Sequence, residues 1–353
     1  MKQVLDMKTT IEVVEYGFNE MGLKRVEMPT RMYLHFEKYN GVLITMPAYI
    51  EALDAAGVKV VTVHPNNPAK HKLPSVIARI ILNDPAQGTP VAIMDGTYIT
   101  MLRTGAAGAV GIKYLSRKDS ENAAIIGLGV QGRSQLLGLL QVRDIEKVKV
   151  FDVIPEARKE YIKTMCKETD VDIEVAGSVK EAVKDADIVI TCTPSKEAFL
   201  KGEMIQKGMH ISAIGADTKD KRELDTTVLT KTNKIVVDFT DQAVVVGDFA
   251  APIREGTIKR EDIYAELGEI VTGQKKGRTS NEEITLFKAT GLAIEDIATA
   301  HKVYQLAKKK GIGKEIKASA KFSFIILINF LKSLSKYSLF RFGPMSMHGH
   351  SLV

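Results

Sequence analysis

The run Gly127-Leu128-Gly129-Val130-Gln131-Gly132 is the strongest chemical signal in the chain. It follows a short apolar strand, Ala123 to Ile126, and opens a helix. That is the setting in which such a run binds a dinucleotide. Gly127 permits the tight turn, Gly129 lets the backbone approach a pyrophosphate, and Gly132 lets the helix pack closely on the strand. First-turn amides, those of Val130 and Gln131 among them, offer donors and positive potential to the phosphates. Asp152 ends the next strand, 25 residues after Gly127. A carboxylate there accepts bonds from the adenosine ribose hydroxyls and repels a 2′-phosphate, so NAD is expected over NADP. Arg158 lies close enough along the chain to soften that preference. The plainer alternative is an ordinary tight turn followed by a surface aspartate.

Other residues could supply chemistry. Lys59 interrupts the apolar strand Val58-Lys59-Val60-Val61. Alternation favours a lysine facing solvent; the other reading points it into a cleft, with desolvation lowering its pKa. Arg103 lies in the small, apolar helix Met101-Leu102-Arg103-Thr104-Gly105. A guanidinium there wants a carboxylate, from a substrate or from a buried ion pair. Open parallel sheets bind ligands at the carboxyl ends of their strands. The loops Thr191-Cys192-Thr193-Pro194-Ser195 and Gly215-Ala216-Asp217 should therefore line a cofactor cleft. Cys192 reads as a small packed residue rather than a nucleophile. No His-Glu-x-x-His, Walker A loop or Gly-x-Ser-x-Gly elbow occurs. The seven histidines are scattered, so no metal site is expected.

The elements that must position these residues fall into two kinds. Residues 9–24 have helical apolar spacing, and strands follow on both sides of the hairpin signal Tyr39-Asn40-Gly41. Further strands are expected over 57–63, 76–82 and 90–94. This third of the chain is helix plus a mostly antiparallel sheet. Thr100 to Leu115, rich in Gly and Ala, reads as a helix linking the two domains. From Asn122, apolar strands alternate with helices, which implies crossovers and a parallel sheet. Residues 288–311 read as one or two helices interrupted at Gly291.

The 353 residues exceed what a single core comfortably serves. With 45% hydrophobic and 26% charged residues, the chain is neither disordered nor collagen-like. Its formal charge of +6 is largely a property of the stretch from Lys321 onward, which has four basic residues and no acid. It gives no nucleic-acid footprint. Two cysteines and an acidic, non-apolar start fit a cytoplasmic protein. The ten-residue run Phe322 to Leu331 is too short to span a membrane. It could be a buried strand, a helix, an interfacial anchor or a segment foreign to the fold. The last stretch reads as a loose end.

Taken together, these residues resemble the ornithine cyclodeaminase/mu-crystallin family over about residues 5–315, and look most like its archaeal alanine dehydrogenase branch. The blocks that carry the resemblance are Met46-Pro47-Ala48, Gly57 to Val61 with His64-Pro65, Asp95-Gly96 with Leu102 to Ala107, the glycine-rich turn, Ile214 to Asp217 with Glu223-Leu224, and Ala289 to Ala293 before Asp296. The resemblance implies an α/β protein: a Rossmann-type dinucleotide-binding domain plus an α+β substrate-binding and dimerisation domain. The expected division is 1–115 with 300–330 for substrate and dimer, 116–299 for NAD, and an irregular tail over 331–353. It also implies a homodimer and a small amino-acid or keto-acid substrate. Arg31 and Arg103 match positions that hold the substrate carboxylate. Lys59 matches a proton-transferring lysine, and Asp217 the catalytic aspartate near the nicotinamide. Met46 matches a pocket wall; Thr290 and Gly291 match a segment near the nicotinamide.

Two departures stand out. Ile44 occupies a position where cyclodeaminases carry an acid for the distal amine, and an apolar side chain cannot neutralise an ammonium. Thr218-Lys219-Asp220-Lys221 replaces a stretch that usually contains Pro-Gly. The expected activity is NAD-dependent oxidative deamination of L-alanine to pyruvate and ammonium, with Asp217 activating water. The alternatives are ornithine cyclodeamination, reduction of a cyclic imine or ketimine, and a binding protein without turnover.

Overall fold

The computed structural model describes residues 3–317 and 323–327. Helix α1 (Met7–Gly22) is capped by Asp6, whose Oδ1 accepts from Thr9 N at 2.7 Å. It buries Ile11, Val14 and Phe18. Strands β1 (Val26–Glu27), β2 (Met32–Phe36), β3 (Gly41–Ile50) and β4 (Ala55–Val63) follow, then helix α2 (Asn67–His71), β5 (Val76–Asn83) and β6 (Pro90–Asp95). β3 to β6 form an antiparallel meander. The expected hairpin joins β2 to β3. Its turn ends at Asn40 with φ 47°, a conformation asparagine tolerates. Alternation along β3 and β4 puts Ile44, Met46, Lys59 and Val61 on one buried face.

Helix α3 (Gly96–Leu115) starts at Asp95, whose side chain accepts from Thr97 N at 2.7 Å. It packs on α1 and β5 on one side. On the other it meets α4 (Val130–Leu139), the helix after the glycine-rich turn. Its small residues make this contact close: a Cβ at Gly105 would lie 2.2 Å from Ser134 Oγ and 2.5 Å from the Ser134 carbonyl oxygen.

The second sheet uses β7 (Asn122–Ile126), β8 (Lys147–Phe151), β9 (Asp172–Val175), β10 (Ile188–Thr191), β11 (His210–Ala213), β12 (Lys234–Val237), β13 (Ile263–Glu266) and β14 (Thr285–Lys288); besides α4, the helices between them are α5 (Pro155–Glu168), α6 (Val179–Val183), α7 (Thr226–Lys231), α8 (Thr240–Ala243), α9 (Gly247–Arg254) and α10 (Leu267–Val271). Its order is β13-β12-β14-β11-β10-β7-β8-β9, with every pair parallel. The chain runs outward from β7 through β8 and β9, then returns to β10 on the other side of β7. That reversal is the switch point at which open parallel sheets bind ligands. The two-domain α/β expectation is met. The helical reading of 288–311 holds over 293–310, after a break at Gly291; residues 285–288 are a strand that the sequence reading did not place. They form a buried strand between β11 and β12. The run is only four residues long and ends in a lysine, so it carries little strand signal.

Helix α11 (Ala293–Lys310) lies against α1, α3 and the inner side of β3, β4 and β5. It is one piece, so a boundary at residue 299 or 300 would cut it; the return crossing lies at residues 289–292. Strands β15 (Lys314–Lys317) and β16 (Ser323–Leu327) extend the first sheet beyond β6. Within the apolar run from Phe322, the described part is thus a strand. Phe322, residues 328–331 and the expected irregular tail lie outside the described residues. No helix among the described residues is long and apolar enough to cross a membrane.

Gly105→Ala should destabilise the fold by about 1–3 kcal/mol through overpacking at the α3–α4 contact. Urea denaturation checks this; an unchanged midpoint would refute the close approach.

Candidate active site

Three elements of the first domain bring four charges together out of water. Lys59 comes from β4, Arg103 from α3, and Glu295 and Asp296 from the first turn of α11. Asp296 bridges the two cations: Oδ2 lies 2.6 Å from Lys59 Nζ, and Oδ1 accepts from Arg103 Nε at 3.0 Å. Glu295 Oε2 accepts from Arg103 Nη1 at 2.6 Å, while its Oε1 caps the helix by accepting from Leu292 N at 3.0 Å. Acids in a first helical turn also suit the helix dipole. Lys59 is only 1% exposed, which corrects the solvent-facing reading that alternation favours. Its strand faces α11 rather than water. Arg103 takes part in a buried ion pair, the second of the two readings open to it.

Burial sets the proton affinities here. Desolvation, with the Arg103 guanidinium adding to it, lowers the Lys59 ammonium to about 8 against the pull of Asp296. For Arg103, desolvation works downward, but Asp296 and Glu295 more than offset it and hold the guanidinium charged. Burial raises the Glu295 carboxyl to about 7, against the effect of Arg103.

The Thr290–Gly291 turn joins this cluster to the second domain. Gly291 has φ 81°, and a Cβ there would lie 2.6 Å from Arg103 Nη1, so glycine is required twice over. Arg31 approaches the same turn from the first domain. Its Nη2 donates to the carbonyls of Thr290 and Gly291 at 2.9 and 2.7 Å, and its Nε to Gln242 Oε1 at 2.9 Å. Gln242 Nε2 donates in turn to Thr290 Oγ1. Asp238 anchors the turn from below, accepting from both amides and from the Thr290 hydroxyl. Among the described residues, Nη1 of Arg31 and Nη2 of Arg103 have no hydrogen-bond acceptor. Met46 pairs with Lys59 across the strands, and Ile44 lies two residues along on the same face.

The residues expected to hold a dinucleotide gather at the switch point. Gly127 has φ 99°, and a Cβ would lie 2.7 Å from the Cys192 carbonyl oxygen. A Cβ at Gly132 would lie 2.2 Å from the Gly127 carbonyl oxygen. A Cβ at Gly129, the N-cap of α4, would meet nothing within 4 Å, and no side chain caps that helix. This is an open, uncapped helix start with room for a phosphate. Val130 is exposed there, and Gln131 lies in the same first turn. Asp152 accepts from Leu128 N at 2.8 Å and from Ile154 N at 2.9 Å. Each of its oxygens keeps a second acceptor direction. Arg158 is tied back to the Asp152 carbonyl and stacks on Phe151. Thr193 donates to Glu223 through its amide and hydroxyl. Cys192 is a packed residue: burial raises its thiol well above the usual range, and Sγ lies 3.1 Å from the Gly127 carbonyl oxygen.

Among the described residues Asp217 makes no hydrogen bond or ion pair with the Lys59 cluster. Its side chain is 45% exposed, and its Oδ1 lies 2.6 Å from Lys221 Nζ. Within the departing loop, Asp220 accepts from Thr218 and pairs with Lys196. Sequence reasoning assigned no role to Glu295, Asp296, Asp238 or Gln242. The signal available was two adjacent acids inside Gly291-Leu-Ala-Ile-Glu-Asp-Ile-Ala298, a stretch otherwise too apolar for a solvated face.

The model of the ornithine cyclodeaminase/mu-crystallin family matches residues 1–311. An alanine dehydrogenase of Archaeoglobus fulgidus is 43% identical, over 90% of this chain and 96% of its own length. The structure of Thermococcus litoralis Δ1-pyrroline-2-carboxylate reductase with NADH and L-proline is 44% identical, with a TM-score of 0.87, covering 89% of this chain and 97% of that one. That of an archaeal alanine dehydrogenase dimer with bound NAD is 43% identical, with a TM-score of 0.85, covering 90% and 97%.

Asp296→Ala should leave Lys59 and Arg103 buried without their shared counter-ion, at a cost of about 3–5 kcal/mol. Chemical denaturation measures this; a loss under about 1 kcal/mol would show that the cluster is not desolvated.

Proposed function

We propose that this chain, which belongs to the ornithine cyclodeaminase/mu-crystallin family, reduces a small cyclic α-imino acid to the amino acid with NADH and catalyses the reverse oxidation. Its broader chemistry is that of an NAD-dependent oxidoreductase acting on small amino acids or imines. The observation that carries the finer reading is Lys59: a fully buried lysine with a pKa of about 8, beside an apolar wall. Such a group holds a proton at neutral pH and gives it up readily.

When bound, the reduced dinucleotide supplies the hydride. The chain supplies the rest. Gly127, Gly129, Val130, Gln131 and Gly132 hold the pyrophosphate, Asp152 the adenosine ribose, and Thr193, Thr290 and Gly291 the nicotinamide half. The free Nη1 of Arg31 and Nη2 of Arg103 hold the substrate carboxylate and orient Cα. Such orientation lowers a barrier by several kcal/mol. Lys59 delivers its proton to the imine nitrogen, and Asp296 keeps the ammonium in place. Met46 and Ile44 accept ring methylenes. A preformed cyclic imine needs hydride and one proton, and no water. This fits a site whose titrating group is an acid, with Asp217 engaged by Lys221.

Oxidative deamination of L-alanine is the second reading, favoured by the 43% identical relative. It requires Asp217 to leave Lys221 and activate water. Ornithine finds no acid at Ile44. A homodimer through the first domain would cover Met32, Tyr33 and Leu34, which β2 leaves exposed.

With pure protein and NADH, Δ1-pyrroline-2-carboxylate should be turned over with a kcat/KM at least about tenfold above that for pyruvate plus ammonium, a preference of about 1.4 kcal/mol. The opposite order would install the alanine reading, and turnover of neither would sink both.

The reductive kcat/KM should fall as pH rises through about 8, because Lys59 must be protonated to donate. Lys59→Met should lose roughly 10²–10⁴-fold in kcat with NADH binding intact. A wild-type rate, or an unchanged pH profile, would remove Lys59 from the chemistry.

A further inference from the structure

Beneath the cofactor cleft lies a second buried charge cluster that the reaction above does not use. Glu223, Asp248 and Lys288 are fully buried. Glu223 accepts four hydrogen bonds. Oε1 takes Thr193 N at 2.6 Å and Thr193 Oγ1 at 2.8 Å; Oε2 takes Thr191 Oγ1 and Gly215 N, both at 2.9 Å. Asp248 Oδ1 fixes the peptide that carries Glu223, accepting from Glu223 N at 2.7 Å and Leu224 N at 2.8 Å. Asp248 Oδ2 lies 3.0 Å from Lys288 Nζ, at the end of central strand β14.

We propose that Glu223, Asp248 and Lys288 are positioning residues for the dinucleotide: one carboxylate locks together the loops after β10 and β11, and an ion pair from β14 holds that carboxylate in place. The inference rests on the dinucleotide reading of the switch point. Its geometry is specific. Both loops leave the carboxyl ends of adjacent strands, where the nicotinamide half is placed. A Cβ at Gly215 would lie 2.3 Å from the Thr193 carbonyl oxygen and 2.6 Å from Glu223 Oε1, so the two loops interlock. A Cβ at Gly127 would come within 2.9 Å of the Thr193 methyl, so Thr193 also bears on the glycine-rich turn. Buried ion pairs add little net stability, because desolvation offsets attraction. What this one supplies is register between three loops.

Each oxygen of Glu223 accepts from one backbone amide and one threonine hydroxyl, and only the ionised carboxylate accepts all four bonds at full strength. The charged and titratable groups facing it are Asp248, Lys288 and the Cys192 thiol. Burial and Asp248 raise Glu223 to about 7, while Lys288 and the Thr193 donors oppose them. Protonation below that pH removes the carboxylate's charge, turns one threonine hydroxyl from donor to acceptor, and weakens the bond to the backbone amide on the same oxygen. NADH affinity should therefore weaken as pH falls through neutrality.

The test is NADH fluorescence titration of the full chain across neutral pH, alongside thermal melting. Glu223→Gln should raise the NADH Kd about tenfold and abolish its pH dependence, because the amide does not titrate. Thr191→Val, nearly isosteric and removing one donor, should raise Kd by less and keep the fold. Lys288→Met should move the loss of affinity to higher pH, because its charge no longer lowers Glu223. Wild-type Kd and pH dependence in Glu223→Gln, or a lowered melting temperature with unchanged Kd, would overturn the proposal. Failure of the wild-type chain to bind NADH would overturn it together with the dinucleotide reading.

Discussion

The bridging of Lys59 and Arg103 by Asp296 is the interaction on which the rest of the architecture depends. Two cations and two carboxylates leave water at this point, and each would be costly alone. Their mutual arrangement therefore dictates where β4, α3 and α11 meet. Helix α11 must begin where its first turn can present Glu295 and Asp296 inward. Helix α3 must lie flat enough on its neighbours for Arg103 to reach them, which the glycines and alanines of Gly105 to Gly111 allow. The same constraint sets the proton affinity of Lys59. Burial, with Arg103 adding to it, holds the lysine's proton loosely, and Asp296 pulls the other way. A lysine facing only Asp296 would hold the proton more tightly; one facing only Arg103 would lose it more readily.

The second constraint is the Thr290–Gly291 turn between the domains. Thr290 and Gly291 touch both halves. Asp238 grips their amides from the dinucleotide-binding sheet, and Arg31 grips their carbonyls from the first domain. The hydrogen-bond directions in this link are unambiguous. Arg31 Nε can only donate, so the Gln242 amide presents oxygen to it and nitrogen to the Thr290 hydroxyl, which then donates to Asp238. One side chain that could meet a substrate carboxylate is thereby fixed relative to the cofactor sheet.

How much of this was legible in the sequence follows from how each signal arises. The glycine-rich turn was legible because three glycines at fixed spacing answer steric demands, and the structure meets those demands at Gly127 and Gly132 with contacts that no Cβ would survive. The parallel sheet was legible from apolar strands alternating with helices. Lys59 was ambiguous because alternation reports which residues share a face, not which face is buried. Glu295, Asp296, Glu223, Asp248 and Lys288 were not legible as a site. Their pairing joins residues far apart in the chain, and one sequence contains no record of which charges meet. Strand β14 escaped for a related reason: its terminal lysine looks solvated until Asp248 is placed beside it.

Substrate choice turns on what reaches the imine carbon after, or in place of, hydride. Both readings share the carboxylate grip, the lysine and the cofactor bed, so none of those separates them. The difference is whether the site must deliver water. Ile44 and Met46 are buried on the face of β3 that carries no acid, and the one aspartate that family resemblance offers for activating water is bound to Lys221. Lys59 is buried beside Asp296, while Asp217 pairs with Lys221. The same apolar wall that denies an ammonium its counter-ion suits a ring of methylenes. Lys59 and the apolar side chains of Ile44 and Met46 share one face of the first sheet, and that pairing is what supports the proposed addition of hydride and a proton to a ready-made carbon–nitrogen double bond.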